Sequence, residues 1–151
     1  MRQHLIRQLV EYTGVNFVVG SLAEAITNGA ELEVTWTPTD TLTITNGLSY
    51  TDAYYPVNPG NRAYSGKEME QSPDWVNVTS VSFDFPITDN LKGVAYVDAR
   101  YSSEFFTGGF DVNRIQDDMT TANARLSIRN EAETWSVDVW ARNVFDTEYF
   151  R

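Results

Sequence analysis

The side chains of this sequence that suit chemistry best are tyrosines and arginines, which bind ligands but do not by themselves make or break bonds. Four of them fall in one stretch rich in proline and glycine, and two fall where polar and apolar residues alternate. The six candidate ligand-binding residues are Tyr54, Tyr55, Arg62, Tyr64, Arg100 and Arg125. The chain has no cysteine and one histidine, His4, so thiolate sites, cysteine nucleophiles and histidine-based triads are excluded. We therefore predict a binding protein that is not an enzyme and uses no metal or cofactor.

The charge of the chain excludes nucleic acid as a partner. Its 151 residues, enough for one domain, carry 21 acidic and 11 basic side chains, for a net charge of −10. Binding to a phosphate backbone needs a basic stripe, and the Lys and Arg residues do not form one. No window approaches the run of about 20 apolar residues that a spanning helix needs. This test does not detect a spanning β-strand, because only every second residue of such a strand faces lipid.

Alternation of apolar and polar residues predicts an all-β fold. In one segment, Leu32, Val34 and Trp36 occupy one face of a strand, while Glu31 and Glu33 occupy the other. We count about seven long antiparallel strands, the first two supplied by residues 2–11 and 15–37. Residues 22–28 are the least strand-like part of this region and suit a helical turn.

Short and long connections alternate along the chain. Short turns are predicted near residues 38, 86 and 130, whereas residues 54–74 and 103–118 form long loops. All short turns then lie at one end of the strands and all long loops at the other. This is the up-and-down pattern of outer-membrane barrels, with short periplasmic turns and long extracellular loops. Predicted strands of about 10 to 14 residues also suit a tilted crossing of a bilayer.

In such a barrel each strand places one row of side chains toward lipid and the other toward a wet lumen. The polar rows contain Glu31, Glu33, Asp98, Arg100, Arg125 and Arg129. The residues that we expect on the lipid side are Val34, Trp36, Ile44, Leu48, Val97, Leu126, Ile128, Val137 and Val139.

A secreted or periplasmic β-sandwich, such as a carbohydrate-binding module, would show the same alternation, because one strand face packs on a second sheet. The positions of the aromatic residues distinguish the two folds. Core aromatics of a sandwich lie in the middle of strands, whereas interfacial aromatics of a barrel lie at strand ends. The aromatic residues near the predicted long-loop ends are Tyr50, Tyr54, Tyr55, Trp75, Tyr101, Phe105 and Phe106. Their distribution favours the barrel.

Four segments resemble, in order, the β-barrel of TonB-dependent outer-membrane receptors. Residues 29–38 (GAELEVTWTP) are similar to the family's G-x-E-x-E-x-x-W-x-P strand, and residues 50–54 (YTDAY) to the end of its following strand. Residues 64–75 contain S-G-K and S-P-D-W, which are similar to the family's S-G-K and A-P-x-W elements. Residues 141–149 (ARNVFDTEY) resemble the N-L-F-D-x-x-Y signature that precedes the last barrel strand.

The resemblance implies a role in TonB-dependent uptake of a siderophore or similar nutrient across the bacterial outer membrane. Residues 1–151 would form part of a 22-stranded plugged barrel, an incomplete barrel that lacks the plug domain and the closing strand. The implied partners are outer-membrane lipid, a small nutrient such as a ferric siderophore, and TonB only through a missing N-terminal region. The transported substrate does not follow from these residues.

Each candidate site residue also has a structural interpretation. Tyr54 and Tyr55 suit anchoring at a membrane interface, and Arg62 and Tyr64 suit a solvated loop. The lumenal arginines suit an anionic ferric siderophore, but they also suit ion pairs within the wall, and the sequence favours that structural role. The acids expected to pair with Arg100, Arg125 and Arg129 are Glu31, Glu33, Asp98 and Asp138.

Overall fold

The computed structural model describes residues 2–5, 8–12, 17–108 and 114–149, which are almost entirely strand and connecting loop. Only a short 3-10 helix, Pro59–Tyr64, interrupts the β-structure of this part of the chain. The strands are β1 (Arg2–Leu5), β2 (Gln8–Tyr12), β3 (Phe17–Ser21), β4 (Ala25–Thr39), β5 (Leu42–Tyr54), β6 (Trp75–Thr88), β7 (Leu91–Ser102), β8 (Phe105–Phe106), β9 (Ile115–Gln116), β10 (Met119–Asn130) and β11 (Ser136–Ala141).

Seven of these strands form one antiparallel sheet, in the order β1-β4-β5-β6-β7-β10-β11. Neighbours in the sheet are therefore successive long strands of the chain, joined up and down. The central strands β4 to β7 and β10 are 12 to 15 residues long, well above the usual five or six. In the part of the chain that is described, the edge strands β1 and β11 are not paired with each other. The prediction of an all-β, up-and-down, unclosed sheet is confirmed.

The first two strands differ from the prediction. β2 and β3 pair with each other in a separate two-stranded sheet, between β1 and the start of β4, and parts of both predicted strands lie outside the described residues. The helical turn expected at residues 22–28 is also wrong, because a strand begins at Ala25. Ile26 is paired on both sides, with His4 and with Tyr54. Pairing on both sides of the chain outweighs its weak local strand preference.

Short turns join β4 to β5, β6 to β7 and β10 to β11 at one end of the sheet, as predicted. Their placement differs, however, because the strands continue past both prolines that were expected to form turns. The register shifts between Trp36 and Thr39, beside Pro38, and between Pro86 and Thr88. Proline lacks the N–H that a strand ladder needs, and an irregularity of this kind is where a strand tolerates it.

The long connections are loop A (residues 55–74) and loop B (residues 103–118), at the opposite end of the sheet. The backbone N–H of Gln71 in loop A donates to the carbonyl of Phe106 in loop B over 2.7 Å. Loop B also contacts the start of β6, where the Trp75 N–H donates to Ser103 Oγ at 3.1 Å. The two loops therefore share one end, as predicted from the alternation of connections.

One face of the sheet, the apolar face, carries a nearly continuous apolar surface across the strands. Cross-strand pairs such as Trp36 with Ile44 and Leu126 with Val139 establish that the nine residues predicted to face lipid share this face. Seven of the nine side chains are exposed, with Val139 at 67% and Trp36 at 59%, whereas Ile44 and Leu48 are partly buried. The opposite, polar face carries the charged rows. The sandwich alternative is wrong, because among the described residues no second large sheet covers the apolar face.

Aromatic side chains border the apolar face at both ends. Tyr50 and Trp75 are cross-strand partners near the long loops, with ring centroids 4.7 Å apart, and Tyr101 lies on the same side. Trp36, Phe83 and Phe85 lie toward the short turns. From Trp75 to Phe83, β6 advances about 26 Å, which corresponds to roughly 20 Å across a bilayer for a tilted strand. This spacing approaches the apolar band of outer-membrane barrels, about 25 Å tall.

The small buried core lies beside loop A rather than within the sheet. Leu22, Ala25 and Tyr55 form it, and Tyr64 and Met69 pack against them. In the described part of the chain, no helix is long and apolar enough to cross a membrane.

Candidate ligand-binding site

Loop A is held in one conformation by a buried asparagine. Asn61 is fully buried, and its Oδ1 accepts a hydrogen bond from the Glu24 N–H at 3.0 Å. Its Nδ2 donates to the carbonyl of Pro56 at 2.9 Å. Buried polar groups in folded proteins are nearly always hydrogen-bonded, and this side chain uses both its acceptor and its donor. Asn61 thus joins the short helix of loop A to the segment that precedes β4.

The loop A candidates differ in their access to solvent. Tyr55 is 1% exposed, and its ring meets that of Tyr64 edge-on at 5.3 Å. Its alternative role as an interfacial anchor is therefore wrong, because a ring enclosed by Leu22, Ala25 and loop A does not meet lipid headgroups. Arg62 is exposed and has a positive φ of 51°. This backbone conformation is unfavourable for a side chain other than glycine, and the contacts around Asn61 hold it.

Tyr54 belongs to β5 rather than to the loop, where the prediction placed it. It pairs with Ile26 and forms an isolated bridge with Glu68 of loop A. Its ring is partly buried at the long-loop end of the sheet. The structure thus gathers Tyr54, Tyr55, Arg62 and Tyr64 at one end of the sheet, with Arg62 the most accessible.

The polar-face candidates form a second group, on β7 and β10. Arg100 lies two residues from the loop end of β7, and Arg125 lies near the middle of β10 with its guanidinium 5.7 Å from the centre of the Tyr96 ring. Among the described residues, no carboxylate lies within ion-pair distance of either arginine. The predicted ion pairs of Arg100 and Arg125 are therefore absent from this part of the chain.

The predicted acids have other partners. Asp98 accepts a hydrogen bond from Asn123 Nδ2 at 2.7 Å, and Asp138 accepts from Ser127 and Ser136. Arg129 pairs with acids outside the predicted set, Asp84 at 4.0 Å and Glu133 at 3.5 Å. Neutral donors placed directly across the strands satisfy Asp98 and Asp138. The close partners of these two carboxylates are therefore neutral donors, although Asp138 and Arg125 also line one cavity.

One residue of the site was not among the candidates. Arg142 lines a cavity of about 850 Å³ together with Arg100, and it also lines a neighbouring cavity with Arg125. The two spaces share the lining residues Asn123 and Arg142, and we refer to them together as the arginine cavity. Its signal was present in the sequence, because Arg142 continues the polar row of Asp138 and Trp140.

The segment after β11 positions Arg142. Asn143 has a positive φ of 49°, and its backbone N–H donates to Asn123 Oδ1 at 3.1 Å. The Asn143 side chain both donates to the carbonyl of Thr147 and accepts from its N–H, at 3.0 and 3.1 Å. Thr147 Oγ1 in turn donates to the carbonyl of Thr120. These bonds hold residues 142–149 along β10, at the rim of the arginine cavity.

Acidic residues line a different part of the polar face. Glu31 and Glu33 line a cavity of about 480 Å³ on β4, β5 and β6, over Gly47, Val76 and Val78. This acidic cavity contains no arginine, whereas the arginine cavity is lined by both signs of charge, because Asp98 and Glu148 also line it. No group of three His, Cys, Asp or Glu side chains within the described ranges is arranged to hold a metal ion.

A family model described as TonB dependent receptor-like, beta-barrel, matches residues 4–144. The chain belongs to the TonB-dependent receptor β-barrel family. The match covers nearly the whole sequence and includes every strand of the seven-stranded sheet except parts of its first strand. Neither a curated protein nor a solved structure shows significant similarity to the chain.

Membership in the TonB-dependent receptor family relates the two faces and the two ends of the sheet to the parts of an outer-membrane barrel. The family consists of outer-membrane receptors and transporters, not enzymes. In outer-membrane barrels the apolar side faces lipid, the polar side faces the lumen, and the longer loops are extracellular. The arginine cavity is thus on the face that corresponds to the lumenal side of such barrels, and loops A and B are at the end that corresponds to their longer loops.

Proposed function

We propose that this TonB-dependent receptor barrel takes up a scarce, anionic nutrient, such as a ferric siderophore, across the outer membrane of a bacterium. Ligand first meets the exposed Arg62 and the partly buried Tyr64 of loop A, and then the arginine cavity. The observation that carries this proposal is the pair Arg100 and Arg125, which lie on the polar face with no carboxylate within ion-pair distance among the described residues. Guanidinium groups bind carboxylate and phosphate oxygens through paired hydrogen bonds.

The roles of the tyrosines follow from their burial. Tyr55 acts by supporting loop A, because its ring is enclosed, whereas Tyr54 and Tyr64 lie at the edge of the same region. Aromatic faces beside a guanidinium suit a ligand that is partly apolar and partly charged. TonB would act through a plug region outside residues 1–151. Transport then consists of binding followed by gating, and it requires no bond-making residue.

Uptake by cells that produce the protein tests this function. We would measure the uptake of two radioiron complexes, one with an anionic and one with a neutral siderophore, in cells with and without TonB. We expect TonB-dependent uptake of the anionic complex. Outer-membrane fractionation of the same cells reports where the protein resides. Uptake that is the same without TonB, or absence from the outer-membrane fraction, would contradict the proposal.

Arginine variants test the ligand class separately. Arg100→Gln and Arg125→Gln should each lower uptake of the anionic complex about tenfold, because each removes a charged hydrogen-bond donor. Lys92→Gln is the matched control, since Lys92 is also on the polar face of β7 but pairs with Glu131 at the short-turn end, at 3.3 Å. An equal loss in the control would show that overall charge, rather than the arginine cavity, attracts the ligand.

A further inference from the structure

A group of three polar residues lies within the apolar face. Asn46 is four residues from Tyr50 and four from Leu42 along β5. Because Leu42 lies opposite Phe83, Asn46 lies between the two aromatic borders. Asn77 and Thr79 of β6 lie beside it, two and four residues from Trp75. We call Asn46, Asn77 and Thr79 the polar triad. All three are partly exposed on a surface that otherwise meets lipid.

The hydrogen bonds of the polar triad determine how its amides are oriented. Asn77 Nδ2 donates to the carbonyl of Gly47 at 3.3 Å, so Asn77 Oδ1 points toward its neighbours. That oxygen accepts from Asn46 Nδ2 at 3.3 Å and from Thr79 Oγ1 at 3.1 Å. Asn46 Nδ2 also donates to Thr79 Oγ1 at 2.8 Å. A carbonyl can only accept, which excludes the flipped amide of Asn77.

This network leaves one acceptor and one donor unused. Asn46 Oδ1 accepts no hydrogen bond from the described residues, and one of the two Asn77 N–H groups donates none. Acyl chains offer neither a donor nor an acceptor, so both groups would remain unsatisfied against lipid, at a cost in free energy. A partner that presents both an acceptor and a donor at this depth would satisfy them.

We propose that the polar triad is a contact between two copies of this protein in the membrane. Barrels with the same orientation are related by a twofold axis along the bilayer normal, and this axis preserves depth. Where the axis passes beside the triad, the triad of one copy therefore faces the triad of the other at the same depth. The patch is complementary to itself, because Asn46 Oδ1 of each copy accepts the unused Asn77 N–H of its partner, in two equivalent bonds. This inference rests on the proposed location in the outer membrane.

Cysteine cross-linking tests the contact directly. The chain has no cysteine, so any cross-link between copies reports an introduced residue. Leu48→Cys and Val81→Cys flank the triad without removing it, because Leu48 pairs with Asn77 and Val81 with Ile44. Val139→Cys is the matched control, on the same apolar face but on the far strand β11. In outer-membrane vesicles treated with an oxidant or a short bismaleimide, we expect dimers from the two flanking positions and few from Val139.

An apolar replacement of the triad tests the chemistry of the contact. N46L, N77L and T79V together remove the donors and acceptors of the triad at once, and outside the triad only the Gly47 carbonyl loses a bond, the 3.3 Å one from Asn77. The association constant, measured by energy transfer between labelled copies diluted in lipid vesicles, should fall roughly tenfold, as expected for two lost hydrogen bonds between membrane-embedded surfaces. If unheated and heated samples of the variant differ in gel migration as those of the original protein do, the variant still folds.

Each result supports or overturns the contact. Monomer only at Leu48 and Val81, equal cross-linking at Val139, or undiminished association of the triple variant would overturn it. A cross-linked product of another mass would also overturn it and would indicate a different membrane protein as the partner. If fractionation found the protein outside the outer membrane, the proposed function and this contact would both fail, whereas a monomer in the outer membrane would overturn the contact alone.

Discussion

The seven-stranded sheet, which we call the wall, and loop A bury their apolar side chains in different ways. Most large apolar side chains of the wall, such as Val139 and Trp36, are not covered by other parts of the protein. In contrast, the fully buried Tyr55 and Asn61 both lie in loop A. The wall therefore needs lipid to complete its burial, whereas loop A is completed by its own chain. A change on the wall should depend on the surrounding solvent, and a change in loop A should not.

The largest expected effect breaks the match between the wall and lipid. Leu126→Arg places a charge on the apolar face and should cost about 2 to 4 kcal/mol if it lies near the midplane. Thr45→Arg is the matched change on the polar face, where Glu31 and Glu33 are nearby, and it should be tolerated. Ser127, the neighbour of Leu126 on the polar face, is not used as the control because it is buried and bonded to Asp138. Urea unfolding in lipid vesicles measures both, and equal costs would contradict the assignment of faces.

A smaller effect should be confined to loop A. Asn61→Ala leaves the Glu24 N–H and the Pro56 carbonyl without their partners and should lower local stability by about 2 kcal/mol. Hydrogen exchange should accelerate in residues 55–70 and remain unchanged in β7 and β10. Faster exchange throughout the sheet would show that loop A and the wall unfold together, which would remove the distinction between them.

Two glycines in the wall give a more local comparison. The ring of Phe85 lies over Gly93, its cross-strand partner, so a Cβ at residue 93 would overlap the ring. Gly93→Ala should cost about 1 to 2 kcal/mol, and Phe85→Leu should relieve part of that cost in the double variant. At Gly47 an added Cβ meets no atom within 4 Å. Gly47→Ala should therefore change stability by less than about 0.5 kcal/mol, and a similar loss at both positions in urea titrations would contradict this packing.

A small effect that depends on salt is expected at the short-turn end. The Lys92–Glu131 pair is solvent-exposed, so Lys92→Gln should change the free energy of unfolding by less than about 1 kcal/mol. The difference should disappear in high salt, because exposed charges are screened. A larger, salt-independent loss in vesicles would show that this end of the sheet is less hydrated than the structure indicates.

The wall could be predicted from sequence because its alternation has a physical cause at every strand. One face meets an apolar medium and the other does not, so a register shift of one residue would reverse both. The strand ends were less predictable, since Pro38 and Pro86 suit turns and a register shift cannot be inferred from composition. Tyr55 was placed at an interface because nothing in the local sequence shows that Leu22 and Ala25 enclose it.

The polar face illustrates a second limit of sequence analysis. Its arginines and acids were placed correctly on one face of the sheet. Their pairing, however, depends on which residues lie opposite each other in neighbouring strands. Asn123 lies opposite Asp98, and Ser127 lies opposite Asp138. These neutral donors replaced the expected ion pairs. Arg142 could have been included by extending the alternation of β11 to its next polar position.

The contrast between two-residue turns and long loops has a consequence for how such a protein diverges. A two-residue connection such as Asp40–Thr41 leaves no slack between neighbouring strands, so register, tilt and the radius of curvature are set from that end. Insertions at the other end lengthen only the loops, whose closure entropy grows slowly with length. Ligand range can therefore change through exchange of loops A and B, while the wall retains its geometry.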